Sequence, residues 1–177
     1  MAQIITNRSV VEDPWQLLEF TADGRAPAIP ADGDLIVPAA FWRTGRDAFR
    51  FRAGRIGVWL KPDEDPELIA EDLPLFGVVA VQFPKVADGR GYSTGRLLRE
   101  RFGYRGELRA IGDVQRDQLY FLWQCGFNAF ALRAGQDPEE ALAAFGEFSE
   151  AYQASVERPL PLFRRRDASS TDGVEWS

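Results

Sequence analysis

Five apolar runs, at residues 35–42, 56–60, 76–83, 108–114 and 127–132, alternate with stretches that carry helix signals. No other feature constrains the fold as much. The runs are rich in Val, Ile and Phe, and 76–83 is almost continuously apolar, as a strand covered on both faces would be. Between them, Asp65-Pro66-Glu67 reads as a cap with proline in the first helical turn, leading into a helix over 68–73. Ser93 or Thr94 caps a helix to Phe102, stopped by Gly103; residues 115–125 form another, stopped by Gly126. Asp137-Pro138 opens the clearest helix, with Leu142, Phe145, Phe148 and Tyr152 on one face.

Strand and helix taken in turn imply parallel strands joined by right-handed crossovers. The expected fold is therefore α/β: repeated βα units on a mainly parallel sheet. The 177 residues are too few for a full eight-unit barrel, which needs about 200 or more. An open three-layer sheet or an incomplete β/α barrel remains. Residues 1–34 mix Pro, Gly and charge and read as a lead-in with a short strand at most. Residues 35–158 read as one α/β domain, and 159–177 as a mobile C-terminal tail.

Composition then removes whole classes of chemistry. The chain has no histidine and one cysteine, Cys125. A Ser-His-Asp triad, histidine-ligated metal, haem and cysteine-held iron–sulfur clusters all lack their ligands within this chain. Any cofactor is left unidentified, and no metal site is expected. A hydrophobic share of 45% supports a core, yet no run is long enough to span a membrane. Residues 1–11 lack a secretory pattern, and the absence of disulfide capacity fits a reducing cytoplasm.

A net charge of −6 argues against nucleic acid or an anionic membrane as partner. The charge is unevenly spread. Residues 85–116 hold eight basic and four acidic side chains, while 63–72 and 134–157 each hold six acids and no base. The basic surplus is mostly arginine, whose planar fork suits oxyanions and carboxylates.

Ligands of parallel α/β folds gather at the carboxyl ends of the strands. Those ends present Arg43, Lys61, Gln82 with Lys85, Asp113, and Arg133. The densest motif is Asp88-Gly89-Arg90-Gly91-Tyr92-Ser93-Thr94-Gly95-Arg96, between a strand and a helix. Helix-opening amides, two arginines and hydroxyls there suit an anion; a plain capped turn is the structural alternative. Arg96 and Arg99 are one helical turn apart and are expected to share a face. The expected anion-binding set is Asp88, Gly89, Arg90, Gly91, Tyr92, Ser93, Arg96, Arg116 and Arg133.

Formally the glycines run Gly-x-Gly-x-x-x-Gly, one residue longer than the dinucleotide fingerprint. Asp113 falls near the place of a ribose-binding acid and is the candidate catalytic acid or base. Arg116 and Gln118 stand nearby as orienting groups, whereas Asp117 reads as a cap and arginine partner. Cys125, among Leu122, Trp123 and Phe127, reads as a core thiol.

Phe83-Pro84, Asp88-Gly89-Arg90-Gly91-Tyr92-Ser93, Arg96-Leu97-Leu98-Arg99-Glu100-Arg101, Gly103-Tyr104-Arg105-Gly106-Glu107-Leu108-Arg109-Ala110, Gly112-Asp113-Val114, Arg116-Asp117-Gln118 and Cys125-Gly126-Phe127 together resemble family nine-three-four of the bacterial domains of unknown function. The resemblance spans roughly residues 35–152. It implies a role in assimilatory sulfate and sulfite reduction, since such genes commonly lie beside those for sulfite reductase and phosphoadenylyl-sulfate reductase. Members are often described as probable oxidoreductases of that pathway, but the resemblance brings no assigned catalytic residues. Two functions are therefore expected. One is an accessory protein that binds a small anion or docks on either reductase. The other is an oxidoreductase or other enzyme holding a nucleotide or sulfonucleotide at residues 89–96, with Asp113 as acid or base.

Overall fold

The computed structural model describes residues 2–85 and 88–155. Five of its strands overlap the five apolar runs, because Val, Ile, Leu and Phe stack well on a pleated surface buried on both sides. Eight strands form one sheet: β1 (Gln3–Thr6), β2 (Ser9–Glu12), β3 (Trp15–Leu17), β4 (Asp34–Pro38), β5 (Ile56–Leu60), β6 (Val78–Phe83), β7 (Glu107–Gly112) and β8 (Ala129–Phe130). Among the described residues four α-helices accompany them: α1 (Ala39–Gly45), α2 (Arg90–Glu100), α3 (Leu119–Gln124) and α4 (Pro138–Ser155). The fold is α/β, as expected.

The strand order is β2-β1-β8-β7-β6-β5-β4-β3. From β3 to β8 every neighbour is parallel and next in sequence. Such a sheet has no point at which the winding reverses, so right-handed crossovers all fall on one face. The core agrees. Leu35, Val37, Val58, Leu60, Val79, Val81, Leu108 and Ala110 pack with Trp42, Leu98, Leu119, Leu122 and Phe145 in one cluster that takes in the helices. The alternate residues Trp15, Ile36, Trp59, Val78, Ala80 and Ile111 form a second cluster on the opposite, inner face. Of the two arrangements expected, the incomplete barrel is the one that forms.

Residues 3–17, expected as a lead-in, are three strands of the same sheet. β1 pairs antiparallel with β8 and with β2, while β3 pairs parallel with β4. Hence β2 and β3 run in one direction, and only Asp13 and Pro14 separate them. Glu12 and Trp15 lie no more than about 11 Å apart along the chain. The two ends of the sheet are thus successive pieces of one bent strand, which changes partner from β1 to β4. Short strands whose burial depends on distant partners leave little local pattern to read.

Other departures have local causes. The run 35–42 splits because β4 ends at Pro38 and α1 begins with Ala39. The helix expected over 68–73 is instead a 3₁₀ segment, Pro66–Leu75, which contains Pro74. Its cap is the expected one: Asp65 Oδ1 accepts from Glu67 N at 2.9 Å. Residues 115–125 divide into a 3₁₀ turn, Arg116–Gln118, and α3. The tail expected at 159–177 lies outside the described residues. Among the described residues no helix is long and apolar enough to cross a membrane.

Candidate functional site

The carboxyl ends of β5, β6, β7 and β8 are adjacent, so the loops that leave these strands share one rim. Lys61 and Lys85 are exposed there and Gln82 is half-buried. The Lys61 amide donates to Glu64 Oε2 at 2.7 Å, which tightens the loop after β5. At the end of β7 the chain turns at Gly112, with φ +96°, and a Cβ there would stand 2.5 Å from the Phe83 carbonyl oxygen. That close approach lets Asp113 N donate to Phe83 O at 2.6 Å and sets Asp113 on the rim. Arg133 N donates to Val114 O, and Arg133 Nη1 lies 3.3 Å from Asp113 Oδ1. Asp113 and Arg133 therefore meet as an ion pair between the ends of β7 and β8. Arg43 does not join them. It lies in α1 and lines an outer cavity with Arg46, Glu67, Glu71, Asp72 and Phe102.

The glycine-rich motif opens α2 three residues earlier than Ser93. Asp88 supplies the cap: its Oδ1 accepts from Arg90 N at 3.2 Å. The Arg90 side chain folds onto the same carboxylate, Nε at 3.0 Å and Nη2 at 2.8 Å. This guanidinium holds the Asp88 carboxyl below the usual carboxylate range. The chain's own carboxylate thus occupies the first amide of the helix and offsets the charge of Arg90.

The remaining members of the motif divide by direction. Gly91 and Gly95 are packing positions, where a Cβ would press into the Phe83 and Phe127 rings at 2.6 and 2.4 Å. Tyr92 turns inward against Phe83 and Phe121, and its hydroxyl accepts from Gln118 Nε2. Gly89, Ser93 and Arg96 are exposed. Arg99 is not beside Arg96 on the surface, as expected, but 6% exposed. Its Nε donates to Gly126 O, and its Nη1 to the carbonyls of Tyr104 and Gly106.

Arg116 starts the 3₁₀ turn, exposed, with Nε 3.8 Å from Asp117 Oδ1. It borders a cavity of about 260 Å³ with Gln115, Asp117, Gln136, Asp137 and Glu140, three carboxylates to one guanidinium. The capping expected of Asp117 is done by Gln115 and Gln118, which bond reciprocally. Gln118, holding both Gln115 N and the Tyr92 hydroxyl, orients the fold rather than a substrate. Cys125 is the expected core thiol, 2% exposed, and burial pushes its ionisation up. Among the described residues no group of three or more Asp, Glu or Cys is placed to hold a metal ion.

One arrangement has no signal in the sequence. On the inner face Arg109, 2% exposed, donates from Nη1 to Asp13 Oδ2 and from Nε to Glu107 Oε1, each at 2.8 Å. Alternation along β7 puts Glu107, Arg109 and Ile111 on one face; the partnership with Asp13 depends on the closing strand.

A search of curated proteins finds no match to the chain. The model of one family, described as "Bacterial protein of unknown function (DUF934)", matches residues 57–163, from β5 past the end of α4. That span includes the Gly89 motif, the Arg99 carbonyl cluster and the Asp113–Arg133 pair, and the chain belongs to that family.

Proposed function

We propose that this chain is an accessory protein of assimilatory sulfate and sulfite reduction, which docks on a sulfite reductase or phosphoadenylyl-sulfate reductase. The observation that carries the reading is the rim itself. Exposed Lys61 and Lys85 follow neighbouring strands at one sheet end, where Arg133, balanced by Asp113, also lies, on a chain whose net charge is negative. Exposed lysines on an acidic protein favour carboxylates on a partner and speed encounter with it. Two further facts support a role without electron transfer through this chain's own residues. It has no histidine, and its single thiol is buried with a raised pKa. The pathway comes from the gene neighbourhood that the family resemblance implies.

Surface plasmon resonance of the purified chain against each purified reductase tests the proposal. Binding should weaken steeply with salt, and Lys61→Glu combined with Lys85→Glu should weaken it about tenfold or more. No binding to either reductase, or binding indifferent to both charges, rejects it. Calorimetric titration with sulfite, sulfate and a sulfonucleotide, against chloride at matched ionic strength, separates docking from small-anion binding. Micromolar sulfonucleotide binding without reductase binding would put an enzyme in place of the accessory protein.

A further inference from the structure

Residues 9–17 carry both edges of the sheet, β2 and β3, and three anchors hold this piece. At its start the hairpin turn Asn7–Arg8 has both residues at positive φ, 49° and 64°. The Arg8 guanidinium lies 5.0 Å from the Trp123 ring and 5.3 Å from Phe145. In its middle Asp13 reaches Arg109 on β7, 96 positions away in sequence and separated from either end of the sheet by other strands. Near its end Trp15 lies under Arg55, at 4.7 Å, and Leu18 O accepts from Trp59 Nε1 at 2.9 Å.

The backbone is held on one side only: among the described residues β2 pairs only with β1, and β3 only with β4. Val11, Glu12, Gln16 and Leu17 are exposed, and β2 and β3 are the sheet's two edges among the described residues. Beneath them is an interior of Trp59, Val78, Ala80 and Ile111 with one guanidinium, Arg109, paired to the closing piece on one side and to Glu107 on the other. The Arg109 Nη2 atom lies 2.8 Å from Glu107 Oε1, yet has no hydrogen bond of good geometry. Its polar bonding is thus incomplete within the barrel, and the Asp13 carboxylate is the contact that crosses the interior.

The geometry points to a strap: residues 9–17 open as a unit while β4–β8 stay folded, and the Asp13–Arg109 ion pair is the lock that keeps them shut. Without the Asp13 carboxylate the shut piece would bury the guanidinium with Glu107 as its one carboxylate partner, so the pair favours the shut state beyond what the backbone bonds to β1 and β4 supply. Opening bares Trp15, Trp59 and the Arg109–Glu107 pair together, turning a filled interior into a cleft floored by an indole and an ion pair.

Amide exchange of the full chain tests this. In Asp13→Asn, which keeps the shape and an acceptor for Trp15 N, the Leu18 amide, bonded to Ile36 O, should exchange about tenfold faster or more, while β6 and β7 amides keep their rates. Equal acceleration throughout the sheet makes the pair an ordinary stabilising contact and overturns the strap; so does no acceleration. The wild-type chain gives a second reading that needs no variant to fold. Across sub-denaturing urea, the bonded amides of Asp13 and Leu18 should open at lower free energy than those of β6 and β7, and a single shared opening overturns the proposal.

Discussion

The Arg99 guanidinium lies in the interior because the Gly126 carbonyl accepts from its Nε at 2.9 Å, with the Tyr104 and Gly106 carbonyls taking Nη1 at 2.8 and 2.9 Å. Tyr104 and Gly106 lie in the connection between α2 and β7, and Gly126 in the one after α3, so one side chain joins two connections. Lysine offers a single point of donation on a flexible stem and cannot reach all three in this fork. Each carbonyl left without a donor costs roughly 1–3 kcal/mol. Arg99→Lys should therefore lose about 3 kcal/mol, or roughly 6–12 °C in Tm. Urea unfolding measures it, and a loss below about 1 kcal/mol would show the cluster to be dispensable.

Three glycines make a graded test of the same region. Gly126 has φ +109°, and a Cβ there would stand 2.5 Å from Arg99 Cγ. Gly126→Ala should cost about 3 kcal/mol, from strain and displacement of Arg99 together. Gly103, at φ +66° with open space around it, should cost about 1 kcal/mol as alanine. Gly89 has φ −82° and nothing within 4 Å, and the cap comes from Asp88. Gly89→Ala should change stability by less than about 0.5 kcal/mol. Thermal melts of the three variants that fail to rank in this order would mean that the backbone, not the neighbours, sets the cost.

What could be read from the sequence depends on the range of the forces. The run 56–60 coincides with β5, since a strand buried on both faces writes its burial into every position. Asp65-Pro66 and Asp137 cap their elements as read, because a cap acts within two or three residues. Asp113 and Arg133 were legible as strand ends, but their pairing needed the β7–β8 adjacency. Arg99 sits in a helix dense with charge, where nothing local marks it as the one turned inward. Asp13 and Arg109 lie further still from local reading, because only the curl of the sheet brings them together.

Tyr104 gives the fold an alkaline limit. Its hydroxyl donates to Phe76 O at 3.1 Å in a buried setting, and burial raises its pKa well above the ordinary value of 10.0. A group whose pKa is raised on folding stabilises fully below its unfolded pKa and loses that contribution as pH rises through the folded value. The window thus opens near pH 10 and extends upward. Urea midpoints should fall steeply there, and Tyr104→Phe should flatten the fall while lowering stability near neutral pH by about 1 kcal/mol. An unchanged alkaline slope in that variant would assign the loss to other groups.

Asp34 sets a matching limit in acid. Its carboxylate accepts from Arg55 Nη2 at 2.6 Å and from Arg55 N at 2.8 Å, and the guanidinium holds its carboxyl below the ordinary value of 3.8. A pKa lowered on folding stabilises above the unfolded value and loses that contribution as pH falls toward the folded one. Asp34→Asn should therefore lose stability near neutral pH but converge with the wild type as pH drops below about 4. Curves that stay parallel in chemical unfolding from about pH 3 to 7, a span that brackets the ordinary carboxylate range, would show the pair to be electrostatically idle.

Arg8 sets backbone strain against side-chain attraction, and two substitutions separate them. At φ +64° a residue with a Cβ pays roughly 1–2 kcal/mol relative to glycine. The guanidinium over Trp123 and Phe145 returns roughly 0.5–1 kcal/mol through the ring faces. Arg8→Ala keeps the strain and discards the attraction, so it should destabilise by about 0.5–1 kcal/mol. Arg8→Gly discards both and should match the wild type within about 0.5 kcal/mol, or exceed it. Because the turn leads directly into β2, exchange at Val11, which faces Ile4 across the hairpin, should rank in the same order. If glycine proves the worse of the two, relief of the positive φ is smaller than the freedom that glycine adds to the unfolded chain, and the turn carries little strain.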